Sequence, residues 1–164
     1  DSTEHYPVLY MHDGQNCFES YVRDSFAGSW QADLVADKLI LGQKGRPFII
    51  VSVSHGSEER LAEYLPPYVA FRLPKPKNVK KKMPAILGRA DKTFAFYQEV
   101  RAFVKQHFRI LDGRENTATC GSSMGGLFST YIALEHPEFA KHHAALSSAY
   151  WTTNDGQGHL KIVN

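Results

Sequence analysis

The segment with the clearest chemistry is "CGSSMGG", residues 120–126, which contains a G-x-S-x-G centred on Ser123. A serine hydroxyl is a weak nucleophile until a base accepts its proton and hydrogen-bond donors receive the charge that develops on the substrate. Glycines two positions before and after the serine permit a sharp turn from a strand into a helix. The pattern predicts that Ser123 is a nucleophile; a glycine-rich structural turn is the alternative.

The flanking sequence supplies the context that such a turn requires. "NTATCGSS" predicts a strand, and "GGLFSTYIALEHPEF" predicts a helix that stops near Pro137. The backbone N–H of Met124 then lies at a helix start, where the helix dipole favours a developing oxyanion. We expect a second donor from the loop "HDGQN", in which Gly14 permits a tight turn and the N–H of Gln15 is the candidate. An ordinary strand-closing turn is the alternative for this loop.

The strands that position these loops follow from apolar runs. Residues 6–11, "YPVLYM", predict a buried strand, and "PFIIVSVSHG" predicts a central parallel strand covered on both faces. "HHAALSSAYW" predicts a last short strand. Strands that alternate with helices favour a parallel sheet with its sites at the carboxyl ends of the strands. The segments expected at that edge are 12–16, 54–56, 121–125 and 147–151.

Helices are predicted on both sides of the second strand. "SWQADLVADKLILG" fits a helix capped by Ser29 and stopped by Gly42 or Gly45. "DKTFAFYQEVRAFVKQHF" is amphipathic, with Asp91 as the expected cap. Its expected apolar face comprises Phe94, Tyr97, Val100, Phe103, Val104 and Phe108. Residues 57–91, rich in proline and lysine, predict an irregular loop that is a solvated segment or a lid.

Composition narrows the class of protein. The chain has 164 residues, which suits a single domain over 1–164, and its 43% hydrophobic and 22% charged residues are ordinary for a globular protein. A net charge of +2 gives no support for nucleic acid as a partner. No apolar run reaches the roughly 20 residues of a membrane span. Cys17 and Cys120 are expected to be reduced thiols. No cofactor and no metal site are predicted, and the cytoplasm is slightly favoured as the compartment.

Several stretches together resemble the putative esterase family of α/β-hydrolases, which includes enterochelin-esterase-like proteins, esterase D and feruloyl esterases. They are "PVLYMHDGQNCFE", "SW", "EYLPP", "GRADKT" and "RENTATCGSSMGGLFSTYIALEHPEFAKHHAALSSAYW". The resemblance implies an α/β-hydrolase-type three-layer sandwich with a mostly parallel sheet. It implies that a small-molecule carboxylic ester is hydrolysed through an acyl-serine on Ser123, with Met124 and Gln15 as oxyanion donors.

The resemblance also suggests where a substrate would lie. Trp151 matches an aromatic position near the family's substrate pocket, and Tyr150 and His12 are further candidates for substrate binding. Tyr150 and Trp151 as plain core or rim aromatics are the alternative.

The base and acid of the triad are harder to place. Family members begin with further strands before "YPVLY" and continue past "SSAYW", so we expect a minimal or truncated member. The acid and then the histidine follow the serine in this fold. Asp155 and His159 keep that order and are the candidate acid and base. His55 and His12 are alternative bases, and the remaining alternative is that the acid and base lie outside this sequence. His107, His136, His142 and His143 are predicted at the far edge.

The sequence therefore predicts a serine esterase. One rival is a catalytically impaired α/β-hydrolase that serves as a binding module, and another is peptidase or acyltransferase chemistry on the same fold. A sheet cut at both edges exposes unpaired backbone groups, so self-association through sheet edges is also expected.

Overall fold

The computed structural model describes residues 3–25, 28–74, 77, 83–154 and 160–163. Its strands are β1 (Val8–His12), β2 (Ile49–Val53), β3 (Ala70–Phe71), β4 (Ile86–Leu87), β5 (Thr117–Ser122) and β6 (His142–Leu146). β1, β2, β5 and β6 form a parallel sheet in the order β2-β1-β5-β6, and β3 and β4 form a separate antiparallel hairpin. β1 and β5 are adjacent, so their carboxyl ends emerge side by side.

The helices lie on both faces of the sheet. They are α1 (Ala32–Leu41), α2 (Arg60–Tyr64), α3 (Ala90–His107) and α4 (Met124–Glu135). Side chains alternate between the faces along β1. Tyr10 packs toward α3, with its ring centroid 6.3 Å from that of Tyr97, whereas Met11 faces the apolar depression beneath α1. The predicted α/β class, with helices flanking a mostly parallel sheet, is confirmed.

The main core lies between the sheet and the pair α3 and α4. Its largest fully buried side chains include Tyr10, Tyr64, Tyr97, Phe128, Leu127 and Ile132. Because α4 is buried along most of its length, the helix that begins at the predicted nucleophile is held firmly against the sheet. Among the described residues, no helix is both long enough and apolar enough to cross a lipid bilayer.

Two predictions about the elements need correction. β2 lies at the edge of the described sheet, paired with β1 alone, and is not the central strand that its β-branched run suggests. Residues 57–91 are also more ordered than predicted, since they contain α2 and the β3–β4 hairpin. Most of the lysine run lies outside the described residues.

The apolar faces of two helices are narrower than their sequence patterns predict. In α3, Phe94, Tyr97 and Val104 are buried, but Phe103 and the following Phe108 are more than half exposed. In α1, Ala36 is buried whereas Leu34, Leu39 and Leu41 are exposed. Helical periodicity identifies side chains that can share a face, but the extent of the opposing surface decides which are covered. The helix ends also differ slightly, since Arg89 and Gln31 occupy the cap positions of α3 and α1.

We expect the chain to self-associate through β6. This strand pairs only with β5 among the described residues, and its side chains are largely exposed. Ala144→Lys places a charge on that edge and should disfavour pairing with a second copy. Light scattering over a concentration series should show a mass that rises with concentration for the unmodified chain and less so for the variant. Ala102→Lys, at an exposed position of α3, is the matched control. A monomer at every concentration would contradict the expectation.

Candidate active site

Ser123 lies at the turn between β5 and α4, as the sequence predicts. Its backbone angles are φ 56° and ψ −116°, a conformation that residues other than glycine rarely adopt. The Ser123 N–H donates to the Leu146 carbonyl at 3.0 Å, and the Ala149 N–H donates to the Ser123 carbonyl at 2.9 Å. The neighbouring β6 and the loop after it therefore hold this strained residue in place. Ser123 is exposed at the carboxyl edge of the sheet.

The glycines around Ser123 are required by close backbone packing. A Cβ on Gly121 would lie 2.5 Å from the Gly125 carbonyl carbon and 2.7 Å from Cδ2 of His12. A Cβ on Gly126 would lie 2.4 Å from Oγ of Ser148. Real Cβ atoms do not approach other atoms this closely, so the turn cannot form unchanged with larger residues. This requirement explains Gly121, the first glycine of the G-x-S-x-G; at its second glycine, Gly125, a Cβ would lie 3.0 Å from Oδ2 of Asp13.

The two predicted oxyanion donors lie on neighbouring segments. Met124 is the first residue of α4, where backbone N–H groups have no acceptor within the helix. Gln15 belongs to a short 3-10 helix, Gly14–Asn16, directly after β1. Its side chain is fixed by His55, whose carbonyl accepts from Nε2 at 2.8 Å and whose N–H donates to Oε1 at 3.3 Å. The role of both N–H groups as donors to a substrate stays a prediction.

Asp13 connects this loop to α2. Its backbone is left-handed, with φ 57° and ψ 52°. Arg60 donates to both carboxylate oxygens, from Nε at 2.6 Å and from Nη2 at 2.8 Å, and the Tyr64 hydroxyl accepts the Asp13 N–H at 3.0 Å. The loop that carries Gln15 is therefore held by both the main chain and the side chain of Asp13.

His12 is buried beneath the turn of residues 121–125, hereafter the elbow, and is only 1% exposed. Its Nδ1 lies 2.6 Å from the Tyr97 hydroxyl, and its ring packs against Phe128 at a centroid distance of 4.9 Å. Burial, with a smaller contribution from His143, lowers the pKa of His12 to about 3. This neutral ring cannot reach a substrate directly, so the placement argues against the predicted substrate contact and favours support of the elbow.

Three other described histidines have contacts away from the Ser123 hydroxyl. His143 lies 2.8 Å from Thr119 Oγ1, His136 stacks on Phe94, and the His55 ring lies 3.7 Å from Asp13. Burial lowers the pKa of His55 and of His143. The candidate acid and base, Asp155 and His159, lie outside the described residues. Within the described part of the chain, no cluster of histidine, cysteine and carboxylate side chains could hold a metal ion.

The two aromatic candidates differ in environment. Tyr150 packs against the core, with its hydroxyl 2.8 Å from Thr130 Oγ1. Trp151 is 62% exposed and meets the ring of Phe71, on the β3–β4 hairpin, at 5.3 Å in an edge-to-face arrangement. Trp151 lies two positions after Ala149, whose N–H donates to the Ser123 carbonyl. The exposed Trp151 and the half-buried Phe71 therefore form an aromatic surface near the turn.

A cavity of about 260 Å³ lies behind the loop that carries Gln15, between the end of β2 and the start of α3. Its walls include His55, Tyr64, Tyr97, Arg89 and Lys92, but not Ser123. It is therefore a neighbour of the elbow rather than the space into which the Ser123 hydroxyl opens.

Sequence reasoning missed three residues that hold the site together: Arg60, Tyr64 and Tyr97. The fragment "EYLPP" and the amphipathic helix contain Tyr64 and Tyr97, but neither pattern shows that a hydroxyl would meet Asp13 or His12. Arg60 and Asp13 lie 47 positions apart in the sequence. Their pairing depends on how residues 57–91 fold back over β1, which no local pattern reveals.

Gly121→Ala should disrupt the elbow, because the added methyl would overlap the backbone of Gly125. We expect the free energy of unfolding to fall by about 1–3 kcal/mol, the usual effect of an overpacked site. Urea denaturation measures this change. Gly45→Ala is the matched control, since no atom lies within 4 Å of its added Cβ. Equal stability of the two variants would contradict the packing argument.

Acid should destabilise the fold through His12. The pKa of His12 falls from 6.5 to about 3 on folding, so between these pH values the unfolded chain binds the proton and the native chain does not. The contribution of His12 to the free energy of unfolding is therefore fully present above pH 6.5. It declines as the pH falls, by up to about 1.4 kcal/mol per pH unit. Urea denaturation from pH 7 to pH 4 should show a shallower decline in His12→Gln. His107→Gln, on the exposed side of α3, should keep the steeper slope of the unmodified chain.

Comparisons with known proteins agree with the architecture. The BES protein from Bacillus cereus superposes with a TM-score of 0.65 at 21% identity, over 96% of this chain and 53% of that protein. For the siderophore hydrolase EstA from Aspergillus nidulans, the TM-score is 0.66 at 23% identity, over 98% of this chain and 50% of that protein. For the ferulic acid esterase AmCE1/Fae1A from Anaeromyces mucronatus, the TM-score is 0.59 at 22% identity, over 95% of this chain and 52% of that protein. The chain thus spans about half the length of these structures. A comparison with curated proteins gives no significant match.

A sequence model of the family described as "Putative esterase" matches residues 1–161. The structural likenesses establish the fold alone at these low identities. The family match runs along nearly the whole chain and includes β1, the Gln15 loop and the turn at Ser123. We conclude that the chain belongs to the putative esterase family.

Proposed function

We propose that this chain carries the nucleophile and oxyanion site of a serine esterase that hydrolyses carboxylic esters through an acyl-serine on Ser123. The observation that carries the proposal is the backbone of Ser123, an exposed residue in a strained conformation at the end of β5 and the start of α4. Backbone strain of this kind at a ligand-facing position is typical of functional sites. Membership of the putative esterase family supports the same chemistry.

In the proposed reaction, Ser123 Oγ attacks the ester carbonyl carbon while a base takes the hydroxyl proton. The carbonyl oxygen becomes an oxyanion that accepts hydrogen bonds from the N–H groups of Met124 and Gln15. Collapse of this intermediate breaks the bond to the alcohol, which leaves with the proton from the base. Water then attacks the acyl-serine in the same manner and releases the carboxylic acid and free Ser123.

For the base and its orienting acid we propose His159 and Asp155, the pair that keeps the chain order of this fold. His12 is a poor base because its ring is buried and its Nδ1 is engaged by Tyr97. His55 is held beside Asp13, which is itself paired with Arg60. These contacts leave the tail histidine as the better candidate.

For the substrate we propose an ester with an aromatic or short acyl group. Trp151 and Phe71 offer an aromatic surface on one side of the elbow, and stacking of a ring on such a surface is favourable. Two proteins of similar fold are named as a siderophore hydrolase and a ferulic acid esterase. The name of the ferulic acid esterase agrees with a ring-bearing ester, which is the substrate class that we would test first.

The second candidate function is a binding module that retains the elbow without turnover. One observation favours it: among the described residues, the histidines bind partners other than the Ser123 hydroxyl. An oxyanion hole without its base can still accelerate a reaction roughly 10³–10⁴-fold over water. Slow acylation by an activated ester would therefore be compatible with this candidate, whereas rapid turnover would not.

Labelling with a fluorophosphonate tests the proposed nucleophile. Intact-mass measurement should show one adduct on the unmodified chain and none on Ser123→Ala, because only an activated serine is phosphonylated rapidly. Ser122→Ala is the matched control, since it removes the adjacent hydroxyl and should keep the adduct. His159→Ala should slow labelling by at least about 10²-fold if it removes the general base, and His142→Ala, at the opposite end of β6, should not. A chain that gains no adduct would overturn the esterase proposal.

A further inference from the structure

Asp13 stands between the two segments that carry the proposed oxyanion donors. It precedes Gln15 by two residues, and its Oδ2 lies 3.0 Å from the position of a Cβ on Gly125, the residue after Met124. We infer that Arg60 is a positioning residue: its ion pair with Asp13 fixes the Gln15 loop against α4 and neutralises a carboxylate beside the oxyanion site. This inference rests on the proposed function of Ser123.

The geometry of the pair restricts orientation as well as distance. Arg60 donates through Nε and Nη2 to separate oxygens of Asp13, at 2.6 and 2.8 Å. The planar guanidinium accepts a carboxylate in one plane, whereas a lysine ammonium would act as a point charge. The side chains of Arg60 and Asp13 are only 14% and 3% exposed, so water does not substitute for either partner. The carboxylate is therefore held in one orientation.

The same helix holds the backbone of Asp13. Arg60 and Tyr64 are four residues apart in α2 and so lie on one face. The Tyr64 hydroxyl accepts the Asp13 N–H at 3.0 Å, and its ring stacks on Phe128 of α4, with centroids 5.3 Å apart. α2 thus links the loop after β1 to the helix that begins at the elbow.

Stability alone is a poor explanation for this pair. The desolvation of two buried charges often offsets their attraction, and an apolar contact of similar volume would stabilise the fold equally well. Unlike an apolar contact, a bidentate pair fixes the orientation of the Asp13 side chain, on a loop residue with a left-handed backbone. It also leaves no net charge at a place where negative charge develops during the reaction.

The electrostatic part of the inference predicts an ordering of variants. Arg60→Met leaves the Asp13 carboxylate uncompensated beside the developing oxyanion, so the acylation rate should fall more than substrate binding. Asp13→Asn combined with Arg60→Met removes that charge and should recover part of the rate. Arg60→Lys keeps the charge but loses the bidentate geometry and should lie between Arg60→Met and the unmodified chain. A role in stability alone predicts that labelling follows the folded fraction of each variant, which urea denaturation measures.

Fluorophosphonate labelling rates of Ser123 measure this ordering. We expect a loss of about 10–100-fold for Arg60→Met, somewhat less than removal of an oxyanion donor itself, and recovery of several-fold in the double variant. Arg101→Met is the matched control, because Arg101 also pairs with an aspartate, Asp112, but that aspartate precedes β5, at the end of the strand opposite Ser123. Its rate should stay within about twofold of the unmodified chain, as for a substitution remote from the site. Unchanged labelling in Arg60→Met would overturn the inference.

Cys17 gives a readout that does not depend on catalysis. It follows the Gln15 loop, is 1% exposed, and its Sγ lies 3.8 Å from the Asp13 carbonyl oxygen. In a Cys120→Ser background, a thiol reagent should modify Cys17 slowly in the unmodified chain and in Arg101→Met. It should modify Cys17 at least about tenfold faster in Arg60→Met, with little dependence on low urea concentrations, because local opening exposes little surface.

The two readouts separate the possible failures. If the unmodified chain is not labelled by fluorophosphonate, the proposed esterase function fails, but the Cys17 rates still decide whether Arg60 holds the loop. If Cys17 remains protected in Arg60→Met, the positioning role is wrong. If its modification speeds up with the steep urea dependence of global unfolding, the pair only stabilises the fold and the inference is also wrong.

Discussion

The site depends on close contact between the elbow and the chain that leaves β1. β1 and β5 are adjacent parallel strands, so His12 and Asp13 emerge directly beside Gly121 and Gly125. The contact is tight enough to exclude a Cβ at Gly121. Because the glycine backbone of the elbow touches the side chains of His12 and Asp13, a shift in one segment displaces the other. Sheet pairing thus brings the N–H groups of Met124 and Gln15 to the same edge of the sheet, and the Arg60–Asp13 pair restricts the Gln15 loop further. Together they are a physical basis for the proposed preorganisation.

The elbow could be predicted from sequence because its requirements are local. Gly121, Ser123 and Gly126 occupy a turn whose conformation and packing demand those residue types, with a β-strand before it and an apolar helix after it. The parallel sheet could be predicted for a similar reason, since alternating strands and helices leave few other arrangements. The edge position of β2 could not, because a β-branched run reports burial and not the number of neighbouring strands.

The supporting contacts were beyond sequence reasoning because they are long-range and polar. The sequence offers His12 as a candidate for substrate binding and as an alternative base, yet the rings of Tyr64, Tyr97 and Phe128 surround it. The pairing of Arg60 with Asp13 joins segments 47 positions apart. Phe103 is an error of the other kind, a residue predicted to be buried that is exposed. Helical spacing places it on the apolar face of α3, but no element of the described chain covers it. Periodicity finds apolar faces; it does not find the partner of a single buried charge.

The titratable groups beneath the elbow share one electrostatic property. Burial lowers the pKa of His12 to about 3 and raises that of Cys17 to about 12, so both are neutral near pH 7. Burial also raises the pKa of Tyr64 and of Tyr97, which stay protonated, and the guanidinium of Arg60 offsets the carboxylate of Asp13. With these charges absent or paired, the dipole of α4 is the field that this part of the core would present to the oxyanion proposed at Ser123. Because the groups beneath the start of α4 are neutral or paired, the N–H groups of Met124 and Gln15 would stabilise negative charge without repulsion from an unpaired carboxylate.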